Sequence, residues 1–411
     1  MATLRWTGGA QDTYAIKTIT IANTWATGDT ITLTVNGKVL VLTIGAVVTT
    51  AGVAAALTAA FNATSATGDV IGTESRNVGG QEIPEFANLT ATTVGSTTVL
   101  TGDVIGIDHT ITAGETTAGT GTASLASTVT ASGKNWWSND ANWSTGAKPI
   151  ATNDVYVDNS DIAILYGIDQ NAITLASLNI ALNYIAALGL PLKNAGGFID
   201  YREDYHKISA TLVNIGQGDG QGSGRLKLNT GTVATTINVY NTGSPLESGL
   251  PALMLLGAHA TNILEVLNGD VGVAVLGSET AQFATVRNSG GDLSLGTGCT
   301  LATVEHSDGN TNAASNITTL TVTGGEFTLN GAATVTGGTC SAGRIYWNAS
   351  GTVTAFTVSG SGVLDLSRDI TPITFTDLTV GEGGLVYDPH SRLTVTNNVT
   401  KGANVKQISA A

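Results

Sequence analysis

The chain contains little charge for its length. Only 12% of its 411 residues are charged, and the formal net charge at pH 7 is −14. The 17 lysines and arginines form no cluster that could neutralise a phosphate backbone, so we expect no nucleic-acid partner. A net negative charge of this kind mainly favours solubility and discourages random association.

Long apolar runs are also lacking. Mean hydropathy is +0.19, but the longest apolar candidate, residues 173–192, is interrupted by threonine, serine and asparagine. A bilayer-spanning helix needs about 20 apolar residues, so we expect no membrane partner. Residues 1–6 have neither the basic nor the apolar segment of a secretory signal peptide, which predicts synthesis in the cytoplasm.

Glycine is abundant, with 52 residues, and much of it belongs to a repeated phrase. From about residue 267 to 387, β-branched residues, a small polar residue and a glycine pair precede an alternating apolar run. The phrase recurs at a regular interval, which is the same from Val286 to Val304 and from Val304 to Val322. The interval from Val322 to Val358 is twice as long. Val335 falls off this register, and Val380 follows after a longer interval. A period of roughly 20 is too short for a helical hairpin or a propeller blade and is typical of one coil of a β-solenoid.

We therefore predict an all-β-dominated fold built on a right-handed parallel β-helix, or β-solenoid. Stacked coils bury a continuous strip of valine, leucine and isoleucine and leave threonine, serine and asparagine outside. Glycine recurs where a corner needs positive φ. Cys299 and Cys340 lie about two coils apart, roughly 10 Å at a strand spacing of ~4.8 Å, and a disulfide tolerates only about 7 Å. We expect both to be small buried residues, with a bridge as the alternative.

Pattern changes along the chain predict five segments. They are a lead-in strand (1–14), an N-terminal β-rich module with one helix (15–132), a Trp-rich capping region with the first coils (133–200), the β-solenoid (201–396) and a C-terminal tail (397–411). In the module, Asn36-Gly37 between two alternating runs predicts a hairpin. Val53, Leu57 and Phe61 recur at helical spacing and predict the helix.

A cluster of tryptophans is the first candidate for interactions. Trp136, Trp137 and Trp143 could stack on sugars, but such a cluster more often caps the open end of a β-solenoid. Trp6 is expected to join them. The module would then be an excursion from a platform that begins at Trp6 and resumes near Trp136.

The densest charge run, residues 201–207, is the second candidate. It places Tyr201, Arg202 and Tyr205 beside two acidic residues, a histidine and a lysine. We predict a subunit contact or an excursion loop at this run.

Three acids are the sharpest candidates for catalysis. Asp292, Glu326 and Asp365 follow glycine corners of neighbouring coils, and sugar hydrolysis needs two carboxylates about 5–10 Å apart. The alternative is that they are solvated corner residues that keep the solenoid soluble. We favour the alternative because no aromatic groove or set of basic residues is evident beside them. We therefore expect no catalytic residues and no enzymatic activity.

Metal and cofactor sites are not indicated. Residues 216–224 are rich in glycine around Asp219, but a calcium-binding repeat needs successive nonapeptides with aspartate at fixed places. The glycines instead predict a tight loop against a neighbouring coil or subunit. The five histidines are scattered without ligand spacing. We predict no metal site and no cofactor.

Residues 142–149, Asn-Trp-Ser-Thr-Gly-Ala-Lys-Pro, followed by Asn153-Asp154-Val155, resemble a segment that opens coils in many autotransporter-type and phage β-helix proteins. Likeness to uncharacterised virion-associated proteins of tailed phages is carried by residues 164–178, 243–245, 250–253 and 362–369. The resemblance covers about residues 130–390 and brings no catalytic motif with it.

This resemblance implies a structural virion protein of a tailed phage. We expect a non-enzymatic capsid decoration or cement protein on the capsid exterior, made in the host cytoplasm. Its expected partners are itself, as a homotrimer, and the major capsid protein or other virion proteins. A host surface glycan is a further candidate partner. The alternatives are a tail fibre or spike that binds a receptor and a polysaccharide depolymerase on a β-helix.

Overall fold

The computed structural model describes residues 2–62, 77–78, 81–82, 84–191, 205–401 and 407–409. These residues fall into two compact units. The solenoid unit takes its described residues from 2–7, 143–189 and 205–409, and the inserted unit from 8–142 and 190–191. Strands make up 53% of the structure and helices 5%, which confirms the predicted β-dominated class.

Strand β1 opens the solenoid unit, and the inserted unit follows it. The elements as far as the inserted unit extends are β1 (Thr3–Arg5), β2 (Ile16–Ala22), β3 (Thr30–Val35), β4 (Lys38–Thr43), α1 (Thr50–Asn62), β5 (Asn77–Val78), β6 (Gln81–Glu82), α2 (Pro84–Ala87), β7 (Leu89–Val94), β8 (Thr97–Gly102), β9 (Ile111–Thr116), β10 (Thr122–Val129) and a 3₁₀ turn (Asp140–Asn142).

The remaining strands belong to the solenoid unit. They are β11 (Asp154–Val157), β12 (Asp169–Ala181), β13 (His206–Gln217), β14 (Leu226–Asn229), β15 (Thr236–Val239), β16 (Leu253–Leu256), β17 (Ile263–Val266), β18 (Asp270–Val273), β19 (Ala281–Leu295), β20 (Cys299–Ala313), β21 (Ile317–Gly331), β22 (Val335–Ala349), β23 (Val353–Val358), β24 (Val363–Asp365), β25 (Ile373–Val380), β26 (Leu385–Asp388), β27 (Leu393–Lys401) and β28 (Gln407–Ser409).

These solenoid strands form one parallel sheet that coils through about eleven turns. The first strand, β1, pairs with β11, with Thr3 opposite Asp154. The inserted unit therefore lies in the connection between two neighbouring strands of the solenoid. This confirms the predicted β-solenoid, while its right-handedness stays a prediction. The excursion begins after Trp6 as expected, but the solenoid resumes at Trp143 rather than near Trp136.

Coil length varies more than the sequence repeat suggested. Val286 lies opposite Val304, as the spacing of the valines predicts. The following coil is shorter, so Val304 lies opposite Leu320. Val322 therefore lies opposite His306, in a different column. The single register predicted for the four valines is wrong because paired residues are two positions closer in sequence between β20 and β21 than between β19 and β20.

The two valines that broke the predicted register are aligned in the structure. Val335 lies opposite Ile317 in the preceding coil and opposite Val353 in the following one. Val380 lies opposite Val358, across one of the longer coils. A coil thus accommodates extra residues in its corners while the inward columns stay in line.

Each long strand bends at its corners while it stays hydrogen-bonded to the strand of the next coil. In β19 the alternation of buried and exposed residues breaks at residues 284–285 and again at 289–291, which divides the coil into three straight stretches. The corner in β20 needs glycine, because Gly309 has a φ of 77° and a Cβ there would meet the backbone of Gly291. Inward side chains of successive coils stack into apolar columns, and each coil buries the face of the next.

The inserted unit has two antiparallel sheets, one of four strands (β10-β2-β8-β7) and one of three (β4-β3-β9). Helix α1 buries Val53, Leu57 and Phe61 in a core shared with strands of both sheets. The β3–β4 hairpin turns at Asn36 and Gly37, whose φ values are 48° and 89°. The predicted hairpin, helix and small α+β module are confirmed.

Solenoid strands also lie outside 201–396. Strands β11 and β12 pair as solenoid strands within the segment predicted to contain the first coils (133–200), and β1 does so within the predicted lead-in strand. The segment predicted as a tail, 397–411, contains the end of β27 and the whole of β28, which pairs with β26. Described residues of the predicted capping region, 133–200, are divided between the two units.

Both cysteines are free and buried, as predicted. Cys299 lies on β20 and Cys340 on β22, two coils further along. Burial raises the pKa of Cys299 to about 12 and that of Cys340 to about 11. Both thiols therefore stay protonated and pack as small apolar side chains.

Candidate functional site

Two outward faces of the solenoid carry polar side chains in register. We call one the ladder face, a row with one side chain per coil: Asn179, Asn214, Asn238, Glu265, Arg287, Glu305, Thr321, Thr339, Thr357 and Thr379. We call the other the mixed face, which has two rows on β18 to β26. The first row is Asp270, Asp292, Asn310, Glu326, Arg344, Val363 and Leu385, and the second is Gly272, Ser294, Asn312, Thr328, Tyr346, Asp365 and Tyr387.

Side chains of the ladder face bind one another from coil to coil. Each asparagine amide after the first donates to the one before it, at 2.9 and 3.0 Å. Arg287 donates through Nη1 to Glu265 Oε1 at 2.6 Å and through Nε to Glu305 Oε2 at 2.8 Å. These bonds tie neighbouring coils together and occupy groups that would otherwise be free for a ligand.

A cleft of about 420 Å³ opens at one end of the mixed face. Its lining residues are Pro245, Glu247, Ser248, Gly249, Leu250 and Pro251 on the loop and Asp270, Val275 and Ser294 on the sheet side. Glu247 anchors the loop, since its Oε1 accepts a hydrogen bond from Arg225 Nη1 at 3.4 Å. Its Oε2 lies 3.7 Å from Nζ of Lys227, which is 1% exposed. The loop is therefore a fixed wall of the cleft.

The sheet side of the cleft carries an acid with a perturbed pKa. Burial raises the pKa of Asp270, a hydrogen bond with the backbone of Ala252 opposes this, and the nearby Asp292 raises it further. The loop packs directly on the sheet beside this acid, because a Cβ at Gly272 would lie 2.7 Å from Pro251 Cγ. The cleft thus joins a partly buried carboxyl to an apolar wall.

Tyr346 lies at the centre of a cluster towards the other end of the mixed face. Its hydroxyl donates to Glu326 Oε1 at 3.3 Å and accepts from Arg344 Nη1 at 3.5 Å. Arg344 Nη1 also donates to Asp365 Oδ2 at 3.4 Å. Arg368 stacks on the ring, with its Cζ 3.1 Å from the ring centroid. Two guanidinium groups and two carboxylates therefore hold one tyrosine ring in place on the outside of the sheet.

The three acids considered for catalysis do not converge. Asp292 and Glu326 share a row with Asn310 between them, about 10 Å apart at a strand spacing of ~4.8 Å. Asp292 accepts a hydrogen bond from Asn310 Nδ2 at 2.7 Å. Asp365 lies in the other row, is 4% exposed and accepts hydrogen bonds from Ser367 N and Oγ at 2.9 and 2.6 Å. Asp292 is bonded to Asn310, whereas Glu326 and Asp365 are linked through Tyr346 and Arg344, so the three acids do not form one cluster.

Trp6 and Trp143 pack together at the edge of the solenoid sheet. They form a bridge immediately after β1, and their rings meet edge to face with centroids 5.3 Å apart. Trp6 Nε1 donates to Ile162 O at 3.1 Å. The two side chains are 3% and 2% exposed, so neither ring is open to a ligand. The pair stands at the first coil, which is where a cap would lie.

Trp136 and Trp137 belong to the inserted unit and not to the solenoid. Trp136 Nε1 donates to Gly106 O at 2.7 Å, and the side chain is 7% exposed. Trp137 is completely buried. The four tryptophans predicted to form one cluster are therefore divided between the two units.

The described end of the charge run at residues 201–207 faces inward. Tyr201 and Arg202 lie outside the described residues, whereas Tyr205 is 6% exposed and directly precedes β13. His206 is completely buried, and burial lowers its pKa to about 3. These two side chains contribute to packing and not to an outer surface.

The glycine-rich segment at residues 216–224 is a tight loop against neighbouring coils, as predicted. A Cβ at Gly216 would overlap the carbonyl of Asn241, and one at Gly220 would overlap that of Leu182. Asp219 is exposed within this loop. Glycine is needed here because backbones of adjacent coils approach each other closely.

Comparison with known proteins gives no match: no protein-family model, no curated protein and no solved structure resembles the chain. Within the described ranges, no three His, Cys, Asp or Glu side chains are grouped so that they could hold a metal ion. Among the helices described here, none has both the length and the apolar character needed to cross a membrane.

The Tyr346 cluster was missed in the sequence because valines were aligned instead of the residues that follow each glycine corner. If the sequence is aligned at the residues that follow each glycine corner, three tripeptides come into register and indicate the cluster. They are Arg344-Ile345-Tyr346, Val363-Leu364-Asp365 and Leu385-Val386-Tyr387. The residues of the mixed face are therefore readable from the sequence once the coil lengths are known.

Proposed function

We propose that the protein is a non-enzymatic structural protein of a tailed-phage virion, bound as a homotrimer to the capsid exterior as a decoration or cement protein. The ladder face carries this proposal, because hydrogen bonds and ion pairs join its side chains from coil to coil. Such bonding stiffens a solenoid along its axis and adds no reactive group. A stiff and chemically inert solenoid suits a protein that works by binding energy alone.

The presence of two separately packed units supports an assembly role. The inserted unit has its own cluster of buried residues around α1, and the solenoid has its inward columns. Each unit can therefore present a surface without borrowing a core from the other. Interfaces of ~1,600 Å² repeated over a shell give an avidity that a single contact lacks. The likeness of residues 164–178 to virion-associated proteins of tailed phages is what directs this role to the virion.

Quantitative mass spectrometry of purified virions tests the proposal. A decoration protein is expected in hundreds of copies, in a fixed ratio to the major capsid protein. Absence of the chain from the particle would refute a virion role altogether. Sedimentation equilibrium of the purified protein is expected to give three times the chain mass of 41.6 kDa.

The mixed face favours a second candidate, a tail spike that binds a receptor, because it combines open polar groups with a cleft. A handful of copies per particle, located at the tail by antibody labelling in electron micrographs, would favour the spike over the decoration protein. Incubation with host capsule separates both from a depolymerase. New reducing or unsaturated ends would show cleavage and contradict the non-enzymatic proposal.

A further inference from the structure

We propose that the mixed face binds a neutral polysaccharide chain that runs along the coil axis, from the cleft beside Asp270 to Tyr387. This binding does not depend on the proposed function, since it can operate on a capsid or on a tail. Three features of the face support it. They are an open row of polar side chains, a balance of hydrogen-bond donors and acceptors, and fixed groups at both ends.

The middle of the mixed face is open to solvent. Asp292, Asn310, Asn312 and Glu326 are exposed, and Thr328 beside them is half-buried. Because the coils stack at ~4.8 Å, each row presents one side chain at every step along the axis. A polymer lying on the middle of this face, between Asp292 and Glu326, therefore meets a polar group on each coil.

The chemistry of these groups matches hydroxyls. The carboxylates of Asp292 and Glu326 only accept hydrogen bonds, the guanidinium of Arg344 only donates, and the amides of Asn310 and Asn312 do both. A sugar hydroxyl both donates and accepts, so it can pair with the oxygens and N–H groups that the bonds between Asn310 and Asp292, Tyr346 and Glu326, and Arg344 and Asp365 do not use. A polyanion would be repelled by the exposed carboxylates, and a polycation would meet the two guanidinium groups at one end of the face. A neutral glycan meets neither repulsion.

The two ends of the row are fixed before any ligand binds. Glu247 holds the cleft loop against the sheet through Arg225. At the other end Arg368 stacks on Tyr346. Arg368 forms no ion pair with another residue that the structure describes. Tyr387 follows in the same row and is 37% exposed, so its ring is open to the C–H face of a sugar. Groups that are already ordered lose little conformational entropy on binding.

Binding measurements with defined polymers test this proposal. The full-length protein is titrated with dextran, galactomannan and mixed-linkage β-glucan, and with polygalacturonate and heparin as anionic comparators, by affinity electrophoresis and calorimetry. We expect at least one neutral polymer to bind, and to bind more tightly than either anionic polymer. Tyr387→Ala and Asn312→Ala should each weaken that binding about five- to tenfold, because each removes one aromatic or hydrogen-bonding contact.

The ladder face supplies a matched control. Thr339 is also an exposed residue in an outward row, so Thr339→Ala should leave the affinity unchanged. Thermal unfolding followed by circular dichroism confirms that each variant keeps the fold. The proposal is overturned if no neutral polymer binds at ~millimolar sugar, if the anionic polymers bind more tightly, or if Thr339→Ala weakens binding as much as Tyr387→Ala.

Discussion

Two stretches of the solenoid pack the same kind of coil in different ways. In the middle coils, β19 to β21, unbroken strands of 15 residues turn the corners. Paired positions there are close in sequence, as in Val304 opposite Leu320. In the late coils, β23 to β27, the strands are shorter and the paired positions lie further apart, as in Val358 opposite Val380. The late coils therefore have wide corners, and the middle coils have tight ones.

The tight corners of the middle coils hold polar side chains in the interior. Asn288 is 1% exposed, donates to Thr311 Oγ1 at 2.9 Å and accepts from Gly291 N at 2.9 Å. Thr311 Oγ1 shares a hydrogen bond of 3.0 Å with His306 Nδ1. In the same column as Asn288, the late coils have Val358.

Aromatic rings and one buried cation lie inside the late coils and the adjoining strand β22. The rings of Trp347, Phe356 and Phe375 pack with centroids 5.1 to 6.0 Å apart. Arg392, whose side chain is completely buried, donates through Nη1 to Trp347 O and through Nε to Thr371 O, both at 2.7 Å.

The middle and late coils bury different side chains because their corners leave different backbone groups without hydrogen-bond partners. A tight corner leaves amide groups that the next coil cannot reach, so a short side chain inside the corner binds them. A wide corner encloses more volume and sends a loop away from the sheet. Aromatic rings fill that volume, and a long guanidinium reaches the loop carbonyls.

Arg392→Ala in the late coils should have the largest effect. The change removes three donors to backbone carbonyls and leaves Asp369, 3.2 Å from Nη2, without this cation. Loss of a buried guanidinium that donates to three backbone carbonyls costs about 3–5 kcal/mol, which denaturant unfolding measures. Arg368→Ala on the surface is the control and should cost less than about 1 kcal/mol. Equal losses for both variants would show that Arg392 does not hold the corner together.

Asn288→Ala in the middle coils should cost about 2–3 kcal/mol of unfolding free energy, because the amide and the carbonyl of Gly291 lose their partner inside the corner. Both groups bind the Asn288 side chain at 2.9 Å. Denaturant midpoints give the value, with Asn312→Ala outside the corner expected within about 0.5 kcal/mol of the unchanged chain. A loss below that of Asn312→Ala would contradict the role given to the buried amide.

Acid should weaken the middle coils through His306. Burial lowers its pKa to about 4, and Nε2 has no hydrogen-bond partner within the described residues. The folded state therefore binds fewer protons than the unfolded state, whose histidine has a pKa of about 6.5, and stability falls as the pH drops from there. We expect a loss of about 2 kcal/mol from this residue between about pH 7 and pH 5.

Unfolding of His306→Val at the two pH values measures this contribution, since the next residue in that column is Val322. The variant should keep the part of the acid sensitivity that comes from His206, whose pKa burial lowers to about 3. An unchanged pH dependence in the variant would show that His306 does not cause the loss of stability in acid.

Arg287→Ala on the ladder face should have the smallest effect, about 0.5–1 kcal/mol. Arg287 joins two coils through Glu265 and Glu305, but all three side chains are about half exposed and water screens them. Added salt of ~1 M should shrink the difference between the variant and the unchanged chain. A salt-independent difference would show that packing of the arginine stem, not charge, stabilises this face.

Much of the fold could be predicted from short-range patterns. Asn36-Gly37 sets a hairpin because both residues adopt positive φ easily, and the recurring valines and glycines predict stacked coils. The mixed face could not be predicted in the same way. Tyr346 and Asp365 share a row only because of the length of the coil between them, and that length changes from one coil to the next.

The sequence by itself determined that the chain stacks coils, since an apolar strip that one coil cannot bury must be covered by the next. It also predicted two small buried cysteines and a tight glycine-rich loop at residues 216–224, both of which the structure confirms. Only the tertiary structure decided which side chains meet. Corner lengths set the register of every outward row, and the tertiary structure fixed which residues of β1 and β11 pair across the predicted insertion. Pairing over such a distance depends on the packed whole and leaves no periodic trace in the chain.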